Sequence, residues 1–384
     1  MKSVLVRAPL LTMSGYGVHA RQIFRWLSSK ENIDLRTNIV PWGITSWIIN
    51  PDHENGLIGK IMNSSNEFKN RPDVSFQLQL PNEWDSNLGK FNVGVTAAVE
   101  TDKCNPEWIN CCNKMNAVVV PSKHTASVLQ KSGNLTVPLY VIGESFIDEC
   151  QTAPPLEIDL ETNFNFLVLG QLTDHNPYLD RKNVMFTLRW LCEEFADDSD
   201  VGIIIKTNSG RGTKIDRNIT RKALEGVINE IRKGPYPKIH FIHGHMKPEE
   251  VAGLYKHEKV KALVSATRGE GFGLPLLEAA SCGLPVIATN WSGHLDFLDL
   301  GKWLKVDYEL TDVPKERCDG SIFIEGSKWA EPNQENFKKK ARGFRKKSQK
   351  PDEWAKQLQK TICEKYSFET ISKSYDEHFG DLIG

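Results

Sequence analysis

The sequence predicts an α/β protein built from two doubly wound domains. Three observations lead there. The chain has 384 residues, more than one hydrophobic core usually spans. Short apolar runs alternate with amphipathic stretches, the pattern of strands joined by helical crossovers. That pattern restarts after a Pro- and acid-rich stretch at 152–157, which reads as a linker. Domains are therefore expected at 1–155 and 156–350, with a helical segment over 351–384. A composition of 40% apolar and 25% charged residues is that of a folded globular chain, and gives disordered or fibrous classes no support.

The first run, Ser3–Arg7, is ended too soon by Pro9 to be a signal segment and reads as a strand. A helix from Val18 to Ser28 follows, then strands at Ser75–Leu80, Asn92–Val99, Ala117–Val120 and Pro138–Ile142. The second half offers Phe164–Gly170, Val201–Lys206, Ile239–Ile242, Ala262–Ser265 and Leu284–Thr289, apolar on both faces as buried parallel strands are. Helices are expected at Asn183–Phe195, Ile219–Lys233 and Pro248–Lys256. Beyond 351, Trp354, Leu358, Ile362 and Tyr366, then Ile371 and Tyr375, recur at helical spacing.

Lys and Arg total 48 against 49 Asp and Glu, so no bulk field draws nucleic acid, and any anion site must be local. No apolar stretch approaches the roughly 20 residues that cross a bilayer. The eight cysteines show no C-x-x-C pair, and reduced thiols in a soluble cytoplasmic protein are expected. The run 338–347 carries seven cations and reads as a solvated helix face, with contact to an anionic inner-membrane surface as the other reading.

The chemistry concentrates in Thr267-Arg268-Gly269-Glu270-Gly271-Phe272-Gly273-Leu274-Pro275-Leu276-Leu277-Glu278. A glycine-rich loop after a strand meets a helix with Pro275 in its first turn. Such a loop lets backbone approach a ligand closely and aims the positive end of the helix at an anion, which suits a diphosphate. Glu270 and Glu278 can face one cleft, and carboxylates accept hydrogen bonds from vicinal hydroxyls of a ribose or a hexose. A glycine turn with one solvated Glu and one Glu favoured by the helix dipole is the plainer alternative.

These residues, with G-L-P-V-I-A-T at 283–289, resemble retaining glycosyltransferase family 4, whose members have the GT-B fold and a Glu-x7-Glu signature. The resemblance implies two Rossmann-like domains facing across a cleft, with the helical segment 351–384 packing back on the N-terminal domain, Glu270 at the donor sugar hydroxyls and Glu278 on the nucleotide ribose. Gly271, Phe272, Gly273 and Leu274 then line the donor. A second match, Gly170-Gln171-Leu172 and Asp180-Arg181-Lys182-Asn183, puts Lys182 on the family's phosphate-binding lysine. Gln171 replaces a common Arg, and Arg181 is the candidate to compensate. A basic first turn of a surface helix is the plainer reading of both cations. A third match, the segment 12–21 with Gly15 and Gly17, resembles the family's N-terminal glycine loop, which closes over the donor phosphate and the acceptor, so the resemblance implies that both glycines bind the donor; a tight turn between strand and helix is the plainer reading.

In the segment 93–102 the family often has a His near the anomeric carbon. This chain has none, and Glu100 is the candidate there, beside an equally ordinary helix-cap role for Thr101 or Asp102. Gly244, His245 and Met246 follow a strand where the family's nucleobase rests. His243 and His245 lack a third ligand, so no metal is expected. Trp291 stands past another strand end, where it can meet sugar or a neighbouring side chain.

The function implied is retaining transfer of a sugar from a UDP- or GDP-linked donor to a hydroxyl of a glycan, lipid-linked or small-molecule acceptor. No cofactor is required, because the nucleotide sugar is a co-substrate. The alternatives are a UDP-sugar epimerase of the same fold and a non-catalytic sugar-nucleotide-binding module.

Overall fold

The computed structural model describes every residue except Ala98, Ser209 and Lys233. Ala98, in the expected strand Asn92–Val99, and Lys233, the expected end of a helix, thus lie outside the described residues. The chain divides into two units.

The first unit comprises Met1–Ser145, Gly320–Ile324 and Tyr366–Gly384. It runs β1 (Lys2–Ala8), α1 (Gly15–Ser28), β2 (Ile33–Ile39), α2 (Leu57–Asn63), β3 (Val74–Leu78) and β4 (Phe91–Val95). It continues with α3 (Pro106–Cys112), β5 (Ala117–Val120), α4 (Lys123–Ser132) and β6 (Leu139–Val141). The strands form one parallel sheet ordered β2-β1-β3-β4-β5-β6. β4 stops at Val95, four residues before the expected end, and an irregular segment follows.

The second unit comprises Phe146–Asp319 and Glu325–Lys365. It runs α5 (Glu149–Thr152), β7 (Phe164–Leu169), α6 (Val184–Glu194), β8 (Val201–Thr207), α7 (Lys214–Ile231), β9 (Lys238–His243) and α8 (Pro248–Lys256). Next come β10 (Val260–Ser265), α9 (Leu274–Ser281), β11 (Val286–Thr289), α10 (Leu295–Leu298) and β12 (Leu304–Val306). The antiparallel pair β13 (Tyr308–Asp312) and β14 (Lys328–Pro332), then α11 (Gln334–Lys346) and α12 (Gln349–Lys365), complete it. Its parallel sheet is ordered β12-β11-β10-β7-β8-β9. Strand order reverses between β7 and β10, and open α/β sheets bind ligands beyond the carboxyl ends of the strands at such a point.

The division differs from the expected one in two places, each for a packing reason. The first unit ends at Ser145, because the stretch taken for a free linker is packed on α8: Lys256 Nζ donates to Ala153 O at 2.8 Å and Leu156 N to Gly253 O at 2.9 Å. The C-terminal segment is two helices that part company. In α12, Gln359 Nε2 donates to Ser281 O at 3.0 Å, within the second unit. The last helix, α13 (Phe368–Ile383), is capped by Ser367 and belongs to the first unit. There Tyr375, Phe379 and Ile383 join Val4, Trp26 and Phe76 in one core, and Trp26 Nε1 donates to Asp376 at 2.9 Å.

Candidate active site

At the reversal point of the second unit, the loops that leave β7 and β10 meet. Lys182, from the first loop, donates through Nζ to both oxygens of Glu270, at 2.7 and 2.6 Å. Arg181 NH1 donates to Gly269 O at 2.6 Å and lies 3.5 Å from Glu270 Oε2. Thr267 Oγ1 donates to Glu270 Oε1 at 2.9 Å. Glu270 is 6% exposed. Burial raises its pKa, but the Lys182 and Arg181 charges outweigh burial and hold it down at about 2. The acid is thus a fixed carboxylate with two cations beside it.

The supporting residues were not evident from the motif. Asp180, fully buried, takes N–H bonds from Thr173 at 3.1 Å, Lys182 at 3.2 Å and Val184 at 2.8 Å, which folds the loop so that Lys182 stands two residues before α6. Arg268 pairs with Glu331 at 2.7 Å and donates to Pro177 O and Asp180 O at 2.9 and 2.8 Å, tying both loops to β14. Glu270 N donates to Ser292 Oγ at 2.8 Å, and Gly293 N to Glu270 O at 2.9 Å. A Cβ on Gly293 would stand 2.1 Å from Gly271 O, so only glycine permits this approach. The pairings of Arg268 and of the Glu270 and Gly293 backbone leave no local pattern, because their partners are 22 to 91 residues apart.

Gly273 caps α9 at φ 100°, a conformation that favours glycine. Gly271 is buried and Leu274 half-buried, while Phe272 packs on Phe297 with ring centroids 5.3 Å apart. What Phe272 can offer a ligand is its backbone. Glu278, the fifth residue of α9, accepts from Tyr255 Oη at 3.3 Å. Burial, helped by the charge of Glu149, raises its pKa to about 7 against the pull of the Tyr255 bond. Two carboxylates of one motif therefore differ in charge state near neutrality.

Gly244 is buried with φ 102°, His245 is exposed and Met246 half-buried. Gly244 O accepts from Lys206 Nζ at 2.7 Å. Trp291 packs near Tyr308, with ring centroids 6.3 Å apart. The sequence also holds a D-x-D segment, Asp198-Ser199-Asp200; it lies at the opposite, amino end of β8, and Arg345 pairs with its carboxylates at 3.0 and 3.2 Å. Of the seven cations at 338–347, Lys338, Arg342 and Arg345 are paired with acids on or after α6, so part of this run is an intramolecular seam.

In the first unit, Gly15 is exposed at the start of α1, and Ser14 caps the helix by accepting from Gly17 N at 3.0 Å. A Cβ on Gly17 would stand 2.2 Å from Thr12 O, a packing requirement independent of any ligand. Tyr16 Oη is 2.9 Å from Thr96 Oγ1 and accepts from Ala97 N at 3.1 Å, joining the glycine loop to the segment after β4. Glu100, half-buried, lies on that segment close enough for its charge to act on Tyr16. The structure thus groups Gly15, Gly17 and Glu100 in one unit, and Arg181, Lys182, Glu270 to Leu274, and Glu278 in the other.

Residues 223–311 match the family model for glycosyl transferases group 1, a span holding Gly244 to Met246, Glu270 and Glu278 but not Lys182. A probable sucrose-phosphate synthase of Thermosipho melanesiensis is 26% identical over 199 residues, which take in 51% of this chain and 37% of that protein. Among solved structures, the sucrose-phosphate synthase of Thermosynechococcus elongatus superposes with a TM-score of 0.66 at 13% identity, over 100% of this chain and 99% of that one. The fold is GT-B. Anabaena HepE, solved with UDP and glucose, is similar with a TM-score of 0.61 at 13% identity, over 99% of this chain and 100% of that one.

Proposed function

We propose that this chain is a retaining glycosyltransferase that moves a sugar from a UDP- or GDP-linked donor to an acceptor hydroxyl. The observation that carries the reading is the buried Glu270 carboxylate paired with Lys182 and Arg181 in front of the glycine loop that opens α9. A diphosphate on that loop competes with Glu270 for the two cations. Once they turn to the phosphates, Glu270 is free to accept hydrogen bonds from hydroxyls of the transferred sugar. Cations already in place for the charge that grows on the leaving diphosphate lower the barrier without further reorganisation. Glu278 takes the ribose diol and Gly244 to Met246 border the base. The acceptor belongs to the first unit, with Gly15, Gly17 and Glu100. Lipid-linked and soluble glycan acceptors both fit this reading.

The test is to incubate the protein with a panel of UDP- and GDP-sugars plus sugar acceptors and to follow products by NMR. A new glycosidic bond with the donor's anomeric configuration is expected. Inversion at that carbon overturns retention, and an altered free sugar nucleotide makes the chain an epimerase. Nucleotide binding with no turnover would leave a binding module.

A further inference from the structure

Lys206 is the last but one residue of β8, between β7 and β9 at the carboxyl edge of the second unit's sheet. Its ammonium is half-buried and, among the described residues, has one hydrogen-bond partner, Gly244 O at 2.7 Å, and no carboxylate. Burial lowers its pKa to about 8. Taking an ammonium out of water without a counter-charge is costly, and such groups are retained where a ligand completes them. An ammonium has three N–H donors, so two remain beyond the bond to Gly244.

The position of Lys206 says which part of a ligand it meets. Its carbonyl accepts from Gly170 N at 3.1 Å, and a Cβ on Gly170 would stand 3.9 Å from Lys182 Cδ. Lys206 is thus one strand removed from the cation assigned to the diphosphate, on the side of Gly244. A nucleotide with phosphates at Lys182 and base at Gly244 passes over it. We propose that Lys206 is a specificity residue for the donor: its ammonium donates to a carbonyl oxygen of the nucleobase while it holds the Gly244 loop. This rests on the nucleotide-sugar reading above. Uracil and guanine present such a carbonyl, and adenine does not.

The experiment is calorimetric titration of the parent and Lys206→Met with UDP, GDP, ADP and inorganic pyrophosphate, with thermal unfolding of both proteins. The parent should bind UDP or GDP at least about tenfold more tightly than ADP, the usual worth of a hydrogen bond from a charged donor. In Lys206→Met that preference should shrink to within about threefold while pyrophosphate affinity stays unchanged, and Lys206→Arg should restore part of it. A Lys206→Met protein that keeps the preference overturns the assignment. So does one that loses pyrophosphate affinity or thermal stability in step with it, which would make Lys206 a structural strut. A parent that binds none of the nucleotides overturns the nucleotide-sugar reading itself.

Discussion

Glu270 and Glu278 are separated by seven residues and chemically alike in sequence, yet the fold gives them different charge states. Glu270 is held ionised by Lys182 and Arg181, while burial and Glu149 bring the Glu278 pKa up to about 7. Only the carboxylate of Glu278 can accept from both hydroxyls of a ribose diol. Nucleotide affinity should therefore fall about tenfold as pH drops from 8 to 6, through the raised pKa, beyond any change in Glu278→Gln. Isothermal titration of both proteins with the same nucleoside diphosphate checks this, and parallel pH profiles would remove Glu278 from the ribose. The two acids and the glycines at 269–273 were legible because a loop and a helix start bring them together within a short span, and Lys182 because its own segment resembles the family's; that it pairs with Glu270, 88 residues on, was not. Arg268 and Ser292 were not, because their roles depend on loops that meet only after the sheet has formed.

At the scale of elements, the strand-to-helix turn of β1 and α1 separates a ligand role from a packing role. Gly15 has open space around its Cα, whereas a Cβ on Gly17 meets Thr12 O at 2.2 Å. Alanine favours helix over glycine, so Gly17→Ala can lose stability only through that clash, expected to cost about 1–3 kcal/mol. Calorimetric unfolding should show a lower Tm for Gly17→Ala and a parental Tm for Gly15→Ala. Equal Tm values would show that the turn yields, and would restore Gly17 as a clean probe of ligand approach. Helices with caps read well from sequence: α8 spans Pro248–Lys256 as expected. The strand β2, Ile33–Ile39, is not among the expected elements, because Asp34, Arg36 and Asn38 interrupt the apolar run that marks a buried strand, as befits an edge of the sheet. The stretch at 152–157 has linker composition but lies against α8, a tertiary contact that composition does not reveal.

For the whole molecule, the restart of the strand–helix pattern announced two doubly wound units, and the sheet orders realise them. The exchange of α13 into the first unit is set by Trp26, Tyr375 and Phe379, partners about 350 residues apart that periodicity alone cannot pair. Under the proposed function, the second unit holds a nucleotide-sugar diphosphate on Lys182, the cation paired with Glu270. The most direct test is steady-state sugar transfer by Lys182→Ala, with circular dichroism to confirm its fold and with Lys182→Arg beside it. A kcat at least about 100-fold below the parent is expected, the size of a lost transition-state charge contact, with partial recovery in Lys182→Arg. A folded Lys182→Ala enzyme whose kcat stays within about threefold of the parent would contradict this role of Lys182.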